Sequence, residues 1–380
     1  MPSLPDRAKS LLVTGRRFVR NAIARRTNPQ AFLKNDLTPH GEILRNGLLA
    51  VRHYPQLRSP VIVTEDGQVP VSGYQHRLPV VLVPPLGVHA WIFDLLNERS
   101  MVRYFLARGF EVYLIDWGSP GAEDHDLSLD TYVNHWFPQA LAAVRKHSGR
   151  QELSLVGYCM GGLLSLLYLA ARGDDQVRNL ATIASPIDLH RGDTRGRMLG
   201  ALSKPAMALH NQFGIRLDSV IRQNRLHLPG WMLALAFRAT NPPGSVRAYL
   251  DLVRNLADTE YVTEYMSMGQ WFTDMPYYPG GVVKDIAEKF AIANRMAGGY
   301  MMIGDVDVDF LRIRCNLLAF AGDNDRIVRV ETARHIMDVV ASSDKTFRIA
   351  PGGHAGVFAG SRAPQEVWQP MADWLSQRSN

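Results

Sequence analysis

The pentapeptide Gly157-Tyr158-Cys159-Met160-Gly161 constrains this chain more tightly than any other feature. It follows the apolar run Leu153-Ser154-Leu155-Val156 and precedes an apolar helical pattern beginning near Gly161, so a strand must become a helix within five residues. Side chains at the two ends of such a corner would clash where strand, turn and helix crowd together, and glycine occupies both positions. The residue at the apex lies at a helix N-terminus, where the backbone attracts negative charge. Cys159 stands there, with the N–H of Met160 placed beside it to bind an oxyanion. It is the candidate nucleophile.

A nucleophile of this kind needs a base and a carboxylate to orient the base. Two later glycine-rich turns supply them. Asp325 lies in Gly322-Asp323-Asn324-Asp325-Arg326-Ile327-Val328, after the apolar run ending at Phe320, and His354 lies in Pro351-Gly352-Gly353-His354-Ala355-Gly356, after the run ending at Ile349. The order Cys159, Asp325, His354 is the nucleophile–acid–histidine order of an α/β-hydrolase. Asp323 competes with Asp325 as the acid, being on the same loop. A second oxyanion donor is expected from the loop Pro84-Pro85-Leu86-Gly87-Val88, where Leu86 carries the first available N–H because prolines have none. Cys315 sits at the entrance of an apolar strand and reads as structural.

The rest of the chain fits that fold. Val61-Ile62-Val63 and Val69-Pro70-Val71 flank Glu65-Asp66-Gly67 as a small hairpin. Then Val80–Val83, Val112–Ile115, Leu153–Val156, Leu180–Ile183, Leu317–Phe320 and Phe347–Ile349 alternate with helical patterns, as in a mostly parallel sheet covered on both faces. The interval 188–309 exceeds what one crossover helix needs and is expected to be an inserted helical cap. The expected organisation is a basic N-terminal arm over 1–58, core over 59–187, cap over 188–309 and core again over 310–380.

Charge is concentrated in the arm. Residues 1–58 hold 11 Lys/Arg against 3 Asp/Glu, so they carry more than the whole formal charge of +6. Leu11, Leu12, Phe18, Val19, Ala22 and Ile23 recur at helical spacing among Arg16, Arg17, Arg20, Arg25 and Arg26, which predicts a basic amphipathic helix. It either packs on its own core or attaches to an anionic or lipid-coated surface. No nucleic-acid module accompanies the arginines, and none is expected as a partner. The start lacks the apolar core of a signal peptide, and two cysteines argue for a reduced, cytoplasmic protein. No cysteine or histidine pair shows metal-ligand spacing, so neither metal nor cofactor is expected.

The chain resembles the polyhydroxyalkanoate synthases, and among them the short, two-component class III type. The resemblance rests on Tyr113-Leu114-Ile115-Asp116-Trp117-Gly118-Ser119-Pro120, Gly157-Tyr158-Cys159-Met160-Gly161-Gly162, Leu250-Asp251-Leu252-Val253-Arg254-Asn255-Leu256 and Gly352-Gly353-His354. It implies an acyltransferase that polymerises (R)-3-hydroxyacyl-CoA into a polyester, releasing CoA and holding the chain on Cys159 as a thioester. Acyl-CoA is then a substrate, not a cofactor. The class III type works with a separate partner subunit; one sequence leaves that subunit, a homodimer and attachment to a polyester granule open. Arg326 and Arg329 depart from the His and Pro usual in the family. Trp271 and Asp274, in a stretch like the family's cap, read as packing. Two other functions compete: a thioesterase or intracellular depolymerase using the same three residues on water, and a non-catalytic granule-associated protein.

Overall fold

The structure, a computed structural model, describes residues 4–191, 226–239 and 242–379. Part of the expected cap, 192–225, lies outside the described residues. Eight strands form the central sheet: β1 (Gly41–Asn46), β2 (Leu49–Tyr54), β3 (Val80–Val83), β4 (Val112–Asp116), β5 (Leu153–Tyr158), β6 (Val177–Ile183), β7 (Asn316–Gly322) and β8 (Lys345–Ala350). Their spatial order is β1-β2-β4-β3-β5-β6-β7-β8. The first two pairings are antiparallel and the remainder parallel. All six parallel strands expected from the sequence are present, as is the hairpin Val61–Thr64/Gly67–Pro70.

The sheet begins inside the segment expected to be an arm. β1 and β2 are joined by the two residues Gly47 and Leu48, with Gly47 at φ 59°, the glycine-first turn that suits a tight hairpin. Leu49, Ala50 and Val51 are fully buried, so this hairpin belongs to the core, and the Gly-bounded apolar pattern was its legible signal.

Alternation along each strand sends side chains to two apolar layers. Val81, Val83, Tyr113 and Leu155 pack with Phe137, Leu141, Leu163 and Leu167. Val80, Leu82, Leu114 and Val156 pack on the opposite face with Val102, Phe105, Phe358 and Met371. Cys159 touches both layers.

Helix α1 (Leu4–Thr27) is the expected basic helix. Among the side chains described, its large apolar residues are not on the docked side. Asn21 is buried and donates to the carbonyl of Leu256 at 2.9 Å, while Ala22 and Ala24 pack on Phe32, Leu252, Leu256 and Val262. Phe18, Val19 and Ile23 face outward, Ile23 at 57% exposure. Helices α2 (Met101–Ala107), α3 (Phe137–Ser148) and α4 (Met160–Arg172) cover the sheet. Between β6 and β7 the described chain contains α5 (Gly230–Ala239), α6 (Pro242–Arg254) and α7 (Thr259–Trp271). Helix α8 (His354–Ala359) follows β8.

Candidate active site

Strand order reverses on either side of β3, so the loops after β3 and β5 diverge at their carboxyl ends and leave a crevice there. Cys159 occupies that position at φ 50°, ψ −117°, a backbone conformation that costs about 1–3 kcal/mol and needs local support. The support is visible. The Cys159 N–H donates to the Ile183 carbonyl at 2.7 Å, and the Cys159 carbonyl accepts from Leu163 N–H at 3.2 Å and Ser185 Oγ at 2.9 Å.

The glycines explain why only this sequence makes the turn. A Cβ on Gly157 would lie 2.4 Å from the Cα of Gly162, and one on Gly161 would lie 2.0 Å from the Val83 carbonyl oxygen. Gly162, which the spacing argument did not require, is also crowded: its Cβ would meet Ser185 Oγ at 2.1 Å and the Gly157 carbonyl oxygen at 3.2 Å. The close approach at Gly161 also fixes where the β3 loop runs. Trp117 donates its indole N–H to the Pro84 carbonyl at 2.9 Å and anchors that loop. Met160, at the first turn of α4, and Leu86, in the loop, are both buried.

The base and acid candidates converge. His354 Nδ1 lies 2.7 Å from Asp325 Oδ2, and both residues are buried, at 6% and 2% exposure. The other carboxylate oxygen accepts from the N–H groups of Ile327 at 2.8 Å and Val328 at 2.9 Å, so the carboxylate cannot rotate away from the ring. With Nδ1 engaged, Nε2 is the ring nitrogen left to serve the Cys159 side chain, whose charge bears on the imidazole. Burial alone would push the imidazolium pKa down; the neighbouring Cys159 charge and the bond to Asp325 outweigh it and hold the pKa well above the ordinary histidine range.

Asp323 does something else. Its Oδ1 accepts from Gly352 N–H at 2.8 Å and from Asn324 Nδ2 at 2.9 Å, tying the acid loop to the histidine loop. Gly352 stands at φ 134°, a conformation reserved for glycine.

Of three aromatic residues at the site, Tyr278 and Phe237 carried no sequence signal and Tyr158 was legible only as part of the corner. Tyr158 donates its hydroxyl to the His354 carbonyl at 3.1 Å and stacks on Phe358 at 4.1 Å. Tyr278 is half-buried near Cys159, with its hydroxyl pKa pushed up by burial and by the cysteine's charge, and its ring would lie 2.7 Å from a Cβ on Gly87. Phe237 of α5 places its ring 5.9 Å from the His354 ring. Trp271 is buried against Tyr158 and Phe358, while Asp274 is half exposed and lies 3.4 Å from His89 Nε2. A cleft of about 870 Å³ opens between α5, α6 and α7 and the two catalytic-end loops, lined by Phe237, Tyr249, Tyr265, Met268, Phe272, Arg326 and His354 among others. The cleft reaches the His354 imidazole. Cys315 is remote, and burial pushes its thiol up to about 12.

Residues 79–361 match the family model for the alpha/beta hydrolase fold. The chain belongs to the α/β-hydrolase family. Within that family, this hydrolase-fold chain is similar to poly(3-hydroxyalkanoate) polymerase subunits. It is 30% identical to that of Haloferax mediterranei over 80% of this chain and 60% of the relative. It is 29% identical to that of Allochromatium vinosum over 79% and 81%, and 27% identical to that of Synechocystis sp. over 79% and 78%. The chain therefore spans less than two thirds of the Haloferax protein's length, and about four fifths of the other two. These relatives bear out the resemblance to the polyhydroxyalkanoate synthases drawn from the motifs, on an α/β-hydrolase fold. Among solved structures, the monoacylglycerol lipase of Paleococcus ferrophilus has a TM-score of 0.47 at 19% identity, over 81% of this chain and 97% of that one. That likeness is too loose to bear on chemistry.

Proposed function

We propose that this α/β hydrolase is an acyltransferase that polymerises (R)-3-hydroxyacyl-CoA through Cys159, His354 and Asp325. The observation that carries the reading is a buried Asp325–His354 pair beside a cysteine at the strand-to-helix corner whose charge bears on the imidazole, in a chain whose relatives are polyester polymerases. His354 holds the Cys159 proton, so the sulfur attacks the acyl-CoA carbonyl as a thiolate. The Met160 and Leu86 amides hold the oxyanion. The intermediate collapses, the C–S bond to CoA breaks, and the departing thiolate takes the proton from His354. A thioester has replaced a thioester, so little free energy is lost.

Chain growth then needs an alcohol. The 3-hydroxyl of a second acyl-CoA gives its proton to His354 and attacks the Cys159 thioester, forming an ester bond and returning the sulfur. The lengthened acyl-CoA passes back to Cys159 by the first step. Asp325 holds the imidazole in the tautomer that both steps require and stabilises the imidazolium. Helices α5 to α7 act as the cap that limits water, the competing acceptor.

The outward Phe18, Val19 and Ile23 of α1, beside the exposed Arg16 and Arg17, support attachment to an apolar granule with an anionic coat.

The deciding experiment gives purified protein (R)-3-hydroxybutyryl-CoA, with and without a class III partner subunit. Release of CoA with polymer supports the proposal. Release with only free acid makes the chain a hydrolase, and no release in either condition makes it a granule-associated protein without catalysis.

A further inference from the structure

Away from the catalytic edge, His53 of β2, Glu111 immediately before β4 and His147 in the last turn of α3 converge. One ligand atom from each lies within 4.8 Å of the other two. Glu111 precedes a parallel strand whereas Cys159 follows one, so the cluster and the candidate active site lie at opposite ends of the sheet. We propose that His53, Glu111 and His147 bind one divalent transition-metal ion of the zinc class.

The donor set is chemically apt: two imidazoles and a carboxylate, without a thiolate, suit zinc and its neighbours in the first transition row. Geometry says more. His53 Nε2 stands 3.5 Å from Glu111 Oε1, beyond ordinary hydrogen-bond range, and this buried nitrogen has no hydrogen-bond partner. Two ligands of one tetrahedral ion with bonds of about 2.0–2.1 Å stand roughly 3.3–3.4 Å apart. The gap that is poor for a hydrogen bond is therefore right for a shared metal.

The tautomer of His147 also fits. The buried Tyr113 hydroxyl lies 2.7 Å from Glu111 Oε1 and 2.8 Å from His147 Nδ1. An ionised carboxylate only accepts, so the hydroxyl donates to Glu111 and must accept from His147 Nδ1–H. That leaves the lone pair of the His147 ring on Nε2 and gives the carboxylate and this histidine a common hydrogen-bonded support. His147 is exposed while His53 and Glu111 are partly covered, so an ion reaches the site from solvent and keeps a position for water. Bound there, it would pin the end of α3 to the two strands β2 and β4.

The test uses full-length protein carrying Cys159→Ser, which removes the thiol–imidazole pair as a competing site. After chelator treatment, zinc chloride is titrated by calorimetry and cobalt by visible absorption. The expected result is one equivalent bound at micromolar concentration or tighter, tetrahedral cobalt bands, and a melting temperature that rises with zinc. His147→Ala, at an exposed position, should abolish all three, and Tyr113→Phe should weaken zinc binding by about tenfold. Absence of saturable binding, or binding unchanged by both His147→Ala and Glu111→Gln, overturns the proposal. Because no readout is turnover, the result is independent of the acyltransferase assay.

Discussion

Replacing Asp325 with asparagine removes one charge and changes almost no volume, yet the structure predicts a large loss of rate. The amide oxygen of the introduced side chain will keep the place of Oδ1, because the Ile327 and Val328 N–H groups point at it from 2.8 and 2.9 Å and an NH₂ group there would face two donors. The NH₂ group must then occupy the Oδ2 position, 2.7 Å from His354 Nδ1. A donor facing Nδ1 forces that nitrogen to accept, which puts the ring proton on Nε2, toward Cys159. Such an imidazole cannot take the thiol proton. By analogy with the same substitution in a serine protease triad, the loss is about 10³- to 10⁴-fold in kcat, roughly 4–5.5 kcal/mol. Asp323→Asn keeps an acceptor for Gly352 N–H and loses only charge at an exposed position, so it should cost about fivefold, near 1 kcal/mol. Both variants are assayed by CoA release from 3-hydroxybutyryl-CoA at saturating substrate, with unfolding midpoints measured in parallel. A loss of less than tenfold in Asp325→Asn, or the reverse ranking, would refute the tautomer argument.

Two further outcomes are expected. Iodoacetamide at pH 8 should label Cys159 and spare Cys315, whose thiol stays protonated with its pKa pushed up to about 12; peptide mapping that finds Cys315 modified first would reverse their roles. Gly161→Ala must push its new Cβ off the Val83 carbonyl, 2.0 Å away, and should destabilise the fold by about 3 kcal/mol; a urea midpoint equal to wild type would show that the corner tolerates a side chain.

What the sequence determined by itself was whatever depends on neighbours along the chain. Steric exclusion at Gly157 and Gly161 is local, so the corner and its cysteine were legible, as were the six parallel strands, whose short apolar runs bounded by turns cannot be left in water. The hairpin β1–β2 was missed because the surrounding arginines masked a short apolar pattern, although Gly47 marked its turn. Tertiary structure alone decided which of two aspartates reaches His354: the turn back through Ile327 and Val328 aims Asp325 inward and leaves Asp323 to bind Gly352. It decided which side of α1 docks, since the small residues Ala22 and Ala24 allow close approach where Phe18 and Ile23 do not. It also brought Tyr278 to Cys159, and His53 and His147 to Glu111. These meetings follow from strand order and helix crossovers, and residues so far apart in the chain carry no mark of them in their immediate sequence.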